Sequence, residues 1–206
     1  MQLLFGTGNP AKLAFMRKRL APLGLDILGL ANMPHAAPSV AENGRDPLDN
    51  AHLKALAYHQ AFGMPVFSCD SGLFITGLPP ERQPGVHVRN VGGKTLSDDE
   101  MISHYAALIH SLGGRAQARY RNAICLVMDE YNIYEQYNDA IASRAFVLAD
   151  MPHERRTPGF PLDSLSIDLA TGAYYFDLEG GGIADEPAMF IDEAYRGFFR
   201  HALGLR

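Results

Sequence analysis

Several features that would define a function are missing from this chain of 206 residues. It has no tryptophan and only two cysteines, Cys69 and Cys125, which are too few and too far apart for a disulfide framework. It has no run of about eighteen apolar residues and no apolar signal segment near residue 1, so we expect neither a membrane span nor export. Asp and Glu (23) outnumber Lys and Arg (18), which argues against general nucleic-acid binding. We therefore expect a cytoplasmic globular protein.

The order of apolar patterns indicates the fold class. The first half alternates short apolar runs with helical patterns, which is typical of a sheet with crossover helices. From Gln117 onward the period changes to two, which predicts antiparallel strands over 117–128, 132–138 and 140–148 and short strands over 165–168 and 173–176, before a last helix over 191–203. Glu179-Gly180-Gly181-Gly182 predicts a turn. We expect one α/β domain over 1–206, with a mixed twisted sheet, flanking helices and two lobes around a central cleft.

The most informative stretch is the first turn of the chain. The apolar run Leu3-Leu4-Phe5 stops at Gly6-Thr7-Gly8, and a helical pattern begins at once. Asn9 is a preferred N-cap, and Pro10 suits the first helical turn. Backbone N–H groups at a helix N-terminus bind anions, and Lys12 adds a positive charge one turn in. Thr7, Gly8, Asn9 and Lys12 are therefore candidate phosphate-binding residues.

Two other interpretations of this turn stay open. It can be an ordinary strand-to-helix turn with an Asn cap. It also matches a loose dinucleotide fingerprint, Gly6-x-Gly8-x-x-Ala11, but the second strand (about 25–30) ends in Ala31-Asn32 rather than in the acidic residue that this fingerprint needs. A Walker loop is excluded because no Gly-Lys-Ser/Thr follows.

Asp70 is the candidate acidic partner of this turn. It follows an apolar strand predicted over 66–69, which should lie in the same sheet as the first strand and end at the same edge. Ser71-Gly72 predicts a tight turn that directs the carboxylate out of the core. A carboxylate there could bind Mg²⁺ or accept a proton from an attacking water. The alternative is that Asp70 caps its own turn.

Motifs in the first half of the chain resemble those of the inosine/xanthosine triphosphate pyrophosphatase family. In order along the chain they are Thr7-x-Asn9-x-x-Lys12, Glu42-x-Gly44, Asn50-Ala51, Lys54-Ala55, Asp70-Ser71-Gly72-Leu73 and Pro84-Gly85-Val86. The resemblance implies an elongated two-lobed α/β fold, a homodimer, and Mg²⁺-dependent hydrolysis of deaminated purine nucleoside triphosphates to the monophosphate and pyrophosphate.

The same resemblance implies roles for individual residues. The phosphates would be held by Thr7, Asn9 and Lys12, and Gly8 and Ser71 are further candidates for binding the substrate. Asp70 would be the catalytic base, Lys12 would offset charge that develops on the leaving pyrophosphate, and Glu42 would hold the metal together with Asp70.

Departures from the family pattern concentrate in the base-recognition motifs. Phe160-Pro161-Leu162-Asp163-Ser164 stands where the family has Phe-Gly-Tyr-Asp-Pro, and Ala194-Tyr195-Arg196 stands where it has Ser-His-Arg. The remaining candidates for nucleotide binding are Phe160, Asp163 and Arg196. Cys69 replaces an acid next to Asp70.

Two other functions therefore stay open. One is a nucleotide-binding protein that has lost the chemistry, and the other is a dinucleotide-dependent oxidoreductase. Zinc is not expected, because no two histidines are close in sequence: His52 and His59, for example, are seven residues apart.

Overall fold

The protein is described by a computed structural model that covers residues 1–178 and 189–205. The turn predicted over Glu179-Gly180-Gly181-Gly182 lies outside the described residues. In the described part of the chain, no helix combines the length and the apolar character that crossing a membrane requires. Contacts divide the chain into two compact units: Met1–Ser71, Arg121–Ser143 and Met189–Arg206 form the first unit, and Gly72–Tyr120 and Arg144–Ala188 form the second. The single domain predicted over 1–206 stays a prediction.

The strands and helices are numbered along the chain. The strands are β1 (Gln2–Phe5), β2 (Asp26–Gly29), β3 (Val66–Ile75), β4 (Asn90–Val91), β5 (Lys94–Thr95), β6 (Arg115–Val127), β7 (Ile133–Gln136), β8 (Phe146–Ala149) and β9 (Ser166–Ile167). The helices are α1 (Pro10–Leu20), α2 (Pro47–Phe62), α3 (Asp98–His110) and α4 (Met189–Leu203).

The first unit contains the parallel part of the sheet. β1 pairs in parallel with β2 on one side and with β3 on the other, where Phe5 is opposite Phe67. The rings of Phe5 and Phe67 stack at 4.6 Å, and Phe199 of α4 meets Phe67 edge-on at 5.0 Å. The end of β6 pairs with β7 in antiparallel fashion. This core holds the register of β1 against the start of β3.

The second unit is antiparallel and has its own core. The start of β6 pairs with β8, and β8 pairs with β9. Helix α3 begins with a complete capping box, in which Ser97 and Glu100 bond each other's backbone N–H groups. Its buried face, with Tyr105 fully enclosed, packs against Phe146 of β8. The combination of parallel and antiparallel pairing gives the mixed sheet that the sequence predicts.

Three local predictions are wrong. Ser71-Gly72 does not form a turn, because β3 continues to Ile75. The reason is tertiary: Leu73 exchanges backbone hydrogen bonds with Gly85, and a Cβ on Gly72 would lie 3.2 Å from the Gly85 backbone. The strand predicted over 140–148 is reduced to Phe146–Ala149. The strand predicted over 173–176 is a single bridge at Tyr174 followed by a short 3₁₀ helix, Tyr175–Asp177.

Candidate active site

The turn between β1 and α1 is a well-capped helix N-terminus. The Asn9 side-chain oxygen accepts hydrogen bonds from the backbone N–H groups of Ala11 (2.9 Å) and Lys12 (3.3 Å). The Thr7 hydroxyl oxygen accepts one from the Asn9 N–H at 3.2 Å. Both side chains thus shape the turn, which is the structural role that the sequence left open, and the Thr7 hydroxyl can still donate its own proton.

Gly6 and Gly8 have different environments. A Cβ on Gly6 would lie 2.3 Å from the Ser68 hydroxyl and 2.6 Å from the Tyr58 ring, so this glycine is required by packing. A Cβ on Gly8 would meet nothing within 4 Å. Packing within the protein thus accounts for Gly6, whereas the space beside Gly8 is open to a ligand.

Asp70 is buried and held from two sides. Its residue is 8% exposed. Asn50 Nδ2 donates to Asp70 Oδ2 at 3.0 Å, and Lys54 Nζ lies 3.3 Å from Asp70 Oδ1. Lys54 Nζ also lies 2.9 Å from Glu42 Oε2, and the Glu42 side chain is 45% exposed. One ammonium group therefore joins the two carboxylates that the sequence singled out.

The pKa values of two lysines in this neighbourhood, Lys12 and Lys54, are shifted in opposite directions. Burial lowers the pKa of Lys12, and the positive charge of Lys54 lowers it further, although the charges of Asp70 and Glu42 act the other way. Burial also disfavours the charge on Lys54, but the contacts with Asp70 and Glu42 outweigh it and raise the pKa of Lys54. Lys12 thus carries a charge that its surroundings do not fully balance, and an anion would balance it.

The donor atoms here suit a hard cation. Glu42 and Asp70 supply carboxylate oxygens that lie within 3.3 Å of the same nitrogen. Mg²⁺ is commonly bound by one or two carboxylates together with water and substrate phosphates. Cys69 adds no charge, because burial raises the pKa of its thiol to about 12. Its side chain packs against the core cluster that contains Phe67.

Two other predicted residues of the first unit are engaged elsewhere. The Ser71 hydroxyl donates to Asn122 Oδ1 at 2.7 Å, and strand alternation places Ser71 on the face of β3 opposite to Asp70. Arg196 donates from Nε to the backbone oxygen of Arg19 at 2.9 Å and pairs with carboxylates of its own helix. Ser71 and Arg196 therefore bond to protein groups, and their binding of a nucleotide stays a prediction.

Phe160 and Asp163 belong to the second unit. Phe160 is half-buried and directly precedes a short 3₁₀ helix, Pro161–Leu165. Asp163 is buried in that helix. Burial raises the pKa of Tyr120, and the charge of Asp163 raises it further, so these two residues are electrostatic neighbours.

Asn50 and Lys54 are site residues that the sequence reasoning missed. The motifs that contain them, Asn50-Ala51 and Lys54-Ala55, indicate no role for either residue. Both lie on the buried stripe of α2 with Ala51, Ala55 and Tyr58. Two polar residues four positions apart on an otherwise apolar helix face are a signal that could have identified them, because buried polar groups need partners. The Gly44 N–H donates to Asn50 Oδ1 at 2.8 Å and fixes that amide.

Comparison with known proteins gives a consistent result. A family model described as the Ham1 family matches residues 3–145. A protein of Thermus thermophilus named dITP/XTP pyrophosphatase is 31% identical over 165 residues, which cover 80% of this chain and 75% of that protein. A protein of Symbiobacterium thermophilum with the same name is 32% identical over 167 residues, which cover 81% of this chain and 78% of that protein.

Solved structures show the same fold. The Staphylococcus aureus Ham1 protein matches with a TM-score of 0.71 at 19% identity, covering 98% of this chain and 99% of that one. A Mycobacterium abscessus structure described as a nucleoside-triphosphatase and dITP/XTP pyrophosphatase matches with a TM-score of 0.62 at 22% identity, covering 100% and 99% of the two chains. At these identities the likeness concerns the fold, and the predicted α/β class is confirmed.

Proposed function

The chain belongs to the Ham1 family, and we propose that it is a Mg²⁺-dependent nucleoside triphosphate pyrophosphatase. The proposed substrates are deaminated purine nucleotides such as dITP and XTP, which the relatives' names state for those proteins. The observation that carries the proposal is the buried carboxylate of Asp70, which is held by Asn50 and Lys54 and shares Lys54 with Glu42.

Each residue has a defined task in this proposal. Lys12 and the N–H groups of the capped turn bind the phosphates. Asp70 accepts a proton from the water that attacks the α-phosphorus; a bond forms between the water oxygen and that phosphorus, and the bond to the bridging oxygen breaks. Pyrophosphate leaves, and Lys12 offsets its charge. A Mg²⁺ ion held by Glu42 and Asp70 would neutralise phosphate charge.

The remaining substrate contacts are proposals from the family resemblance. Phe160 and Asp163 would recognise the nucleobase, Arg196 would bind the nucleotide, and Ser71 would contact the substrate. We also propose a homodimer. Tyr195, which stands in the place of the family's histidine, is buried under Arg19, whose guanidinium carbon lies 4.3 Å from the ring centre. The preference of this protein for one nucleobase over another therefore cannot depend on a histidine at position 195.

The lost acid at Cys69 favours a second candidate, a nucleotide-binding protein without turnover. A neutral thiol replaces a carboxylate next to Asp70, so one negative charge near the proposed metal is absent. Such a protein would bind triphosphates through Lys12 and the capped turn and would release no pyrophosphate.

One experiment separates the two candidates. Pyrophosphate release is measured for the purified full chain with Mg²⁺ and a panel of dITP, XTP, dGTP and ATP, and binding is measured by calorimetry. We expect release from dITP and XTP, a loss of about 10²–10⁴-fold in kcat for Asp70→Asn, and retained binding. Asp26→Asn, an exposed carboxylate that accepts from Gln2, is the matched control and should leave kcat unchanged. Binding without release supports the second candidate, and unchanged kcat in Asp70→Asn contradicts the assignment of the base.

A further inference from the structure

Three side chains with metal-binding atoms converge in the first unit, on elements outside the phosphate turn. They are His52 of α2, Cys125 of β6 and Glu135 of β7, and their ligand atoms all lie within 4.8 Å of one another. Cys125 is directly opposite Glu135 in the antiparallel pairing. Ala51 and Ala55 pack in the same core cluster as Cys125, so α2 lies close to β6 and brings His52 over the thiol.

The distances are near those of a metal site. His52 Nδ1 lies 3.9 Å from Cys125 Sγ, and Nδ1 is also in hydrogen-bond contact with Glu135 Oε1. Donor atoms on a tetrahedral Zn²⁺ are separated by about 3.5 Å, given bonds of about 2.0–2.3 Å. The nitrogen–sulfur distance therefore needs little change. The His52–Glu135 contact must open, and both side chains are 36% exposed and have room to turn.

The spacing of the histidines gives no reason to expect zinc, but the fold brings together three ligands that are distant in sequence. We propose that His52 Nδ1, Cys125 Sγ and a Glu135 carboxylate oxygen bind one Zn²⁺ ion, with water as the fourth ligand. The donor set of imidazole, thiolate and carboxylate suits zinc, whereas Mg²⁺ takes oxygen ligands. The thiol is fully buried, and the two partly exposed ligands border it on the solvent side, which gives the ion a path of entry and leaves the water position open.

The proton balance of binding is defined. Burial raises the pKa of the Cys125 thiol, so the free protein carries the protonated form. Binding forms the sulfur–zinc bond, and the thiol proton goes to the buffer. His52 binds as neutral imidazole with its proton on Nε2. The charges of the thiolate and of the Glu135 carboxylate then cancel that of the ion, so the ion and its protein ligands together carry no net charge.

The consequence for the fold is a clamp between α2 and the β6–β7 pair. Zinc that binds the folded state and not the unfolded chain raises stability by mass action. This inference does not depend on the proposed hydrolase activity.

The test uses the full chain after chelator treatment, with excess Mg²⁺ to occupy oxygen-ligand sites. Titration with Co²⁺ should give an equimolar complex with a thiolate-to-cobalt charge-transfer band in the near ultraviolet, and Zn²⁺ should displace it and raise Tm. Cys125→Ser should lose the band. His52→Ala and Glu135→Gln should weaken Zn²⁺ binding roughly tenfold or more, since loss of a ligand costs at least as much as loss of a group that orients one.

Matched controls keep the test decisive. Cys69→Ser removes the other cysteine, and His87→Ala removes an exposed histidine of the second unit; both should retain the complex. Because Cys125 is buried, the Cys125→Ser variant can misfold, and circular dichroism checks the folding of each variant. If Cys125→Ser is misfolded, the loss of Zn²⁺ affinity in His52→Ala and Glu135→Gln, at partly exposed positions, decides the test. Absence of an equimolar complex, unchanged affinity in these two variants, or a band lost only in Cys69→Ser would overturn the proposal.

Discussion

Lys54 forms ion pairs with both carboxylates of the candidate site, Asp70 and Glu42. Its side chain is 10% exposed and lies between Asp70, which is 11% exposed at the side chain, and Glu42. A buried carboxylate without a partner is costly, and the ammonium group and the Asn50 amide supply the partners that hold Asp70 in place. The same contacts engage both Asp70 oxygens, so the attacking water must reach one of these oxygens beside Lys54 or Asn50 if Asp70 is to accept its proton.

Substitution of Lys54 should show how strongly it supports Asp70. Lys54→Met keeps most of the side-chain volume and removes the charge, so we expect a loss of about 3–5 kcal/mol in the free energy of unfolding, as for a broken buried pair. The double variant with Asp70→Asn should lose less than the sum of the single losses, measured by urea denaturation as a double-mutant cycle. Lys94→Met removes an exposed lysine from a surface pair with Glu100 and is the control, with little change expected. Additive losses would show that Lys54 and Asp70 act independently.

Lys12 should make anion binding depend on pH in a specific direction. Its charged form binds the anion, and burial and Lys54 lower its pKa from the ordinary 10.5. As the pH rises through this lowered pKa, Lys12 loses its charge and the affinity for Mg²⁺-tripolyphosphate should fall, at a lower pH than an exposed lysine would allow. Calorimetry from neutral to alkaline pH measures this.

Two variants assign that pH dependence to Lys12. Lys12→Arg remains charged and should keep its affinity over the whole range. Lys12→Met should bind weakly at every pH with a flat profile. If the wild type and Lys12→Arg lose affinity in parallel, the titrating group is not Lys12.

At the scale of elements, the N-cap of α1, Asn9, serves either the helix alone or both the helix and a ligand. Asn9 caps α1 through bonds to Ala11 and Lys12. The same N-terminus is the proposed phosphate site. A substitution that keeps the cap and changes the charge can separate these roles, because Asp caps a helix as well as Asn does.

Asn9→Asp should leave stability close to that of the wild type and raise KM for the triphosphate, because a carboxylate at this point repels phosphate. Asn9→Ala should lose about 1 kcal/mol of stability through loss of the cap. Thermal denaturation and steady-state kinetics of the two variants measure both effects. An unchanged KM in Asn9→Asp would restrict this turn to a structural role.

The elements show what the sequence could and could not predict. Caps and periodicity are local signals, and they located the helix that begins after Asn9 and the last helix, predicted over 191–203 and observed over Met189–Leu203. The composition of Ser71-Gly72 favours a turn, but pairing with partners distant in sequence extends β3 through these residues. The contacts of Asn50 and Lys54 with Asp70, and the meeting of His52 with Cys125, depend on how α2 packs, and no local pattern encodes that.

At the scale of the whole molecule, the two units have separate cores and the candidate groups are divided between them. The cluster around Phe67 and Phe199 belongs to the first unit, and the cluster around Tyr105 and Phe146 belongs to the second. The phosphate turn, Glu42, Lys54 and Asp70 all belong to the first unit. A chain of net charge −5 thus has its candidate anion site where two lysines share one neighbourhood.

Ligand binding should therefore protect particular segments rather than the whole chain. A bound ligand slows hydrogen exchange of those amides that exchange only when local unfolding disrupts the ligand's binding site. With Mg²⁺-tripolyphosphate at about 100 times its Kd, exchange that needs such openings should slow by up to about 100-fold. We expect slowing at 7–12, 47–54 and 66–71, measured by hydrogen–deuterium exchange with mass spectrometry, and little change in α3, whose buried face belongs to the other core. Because tripolyphosphate contains no nucleobase, this result reports on the phosphate contacts alone and not on the proposed recognition of the nucleobase by Phe160 and Asp163. Slowing in α3 without slowing at 7–12 would contradict the placement of the phosphate site at the β1–α1 turn.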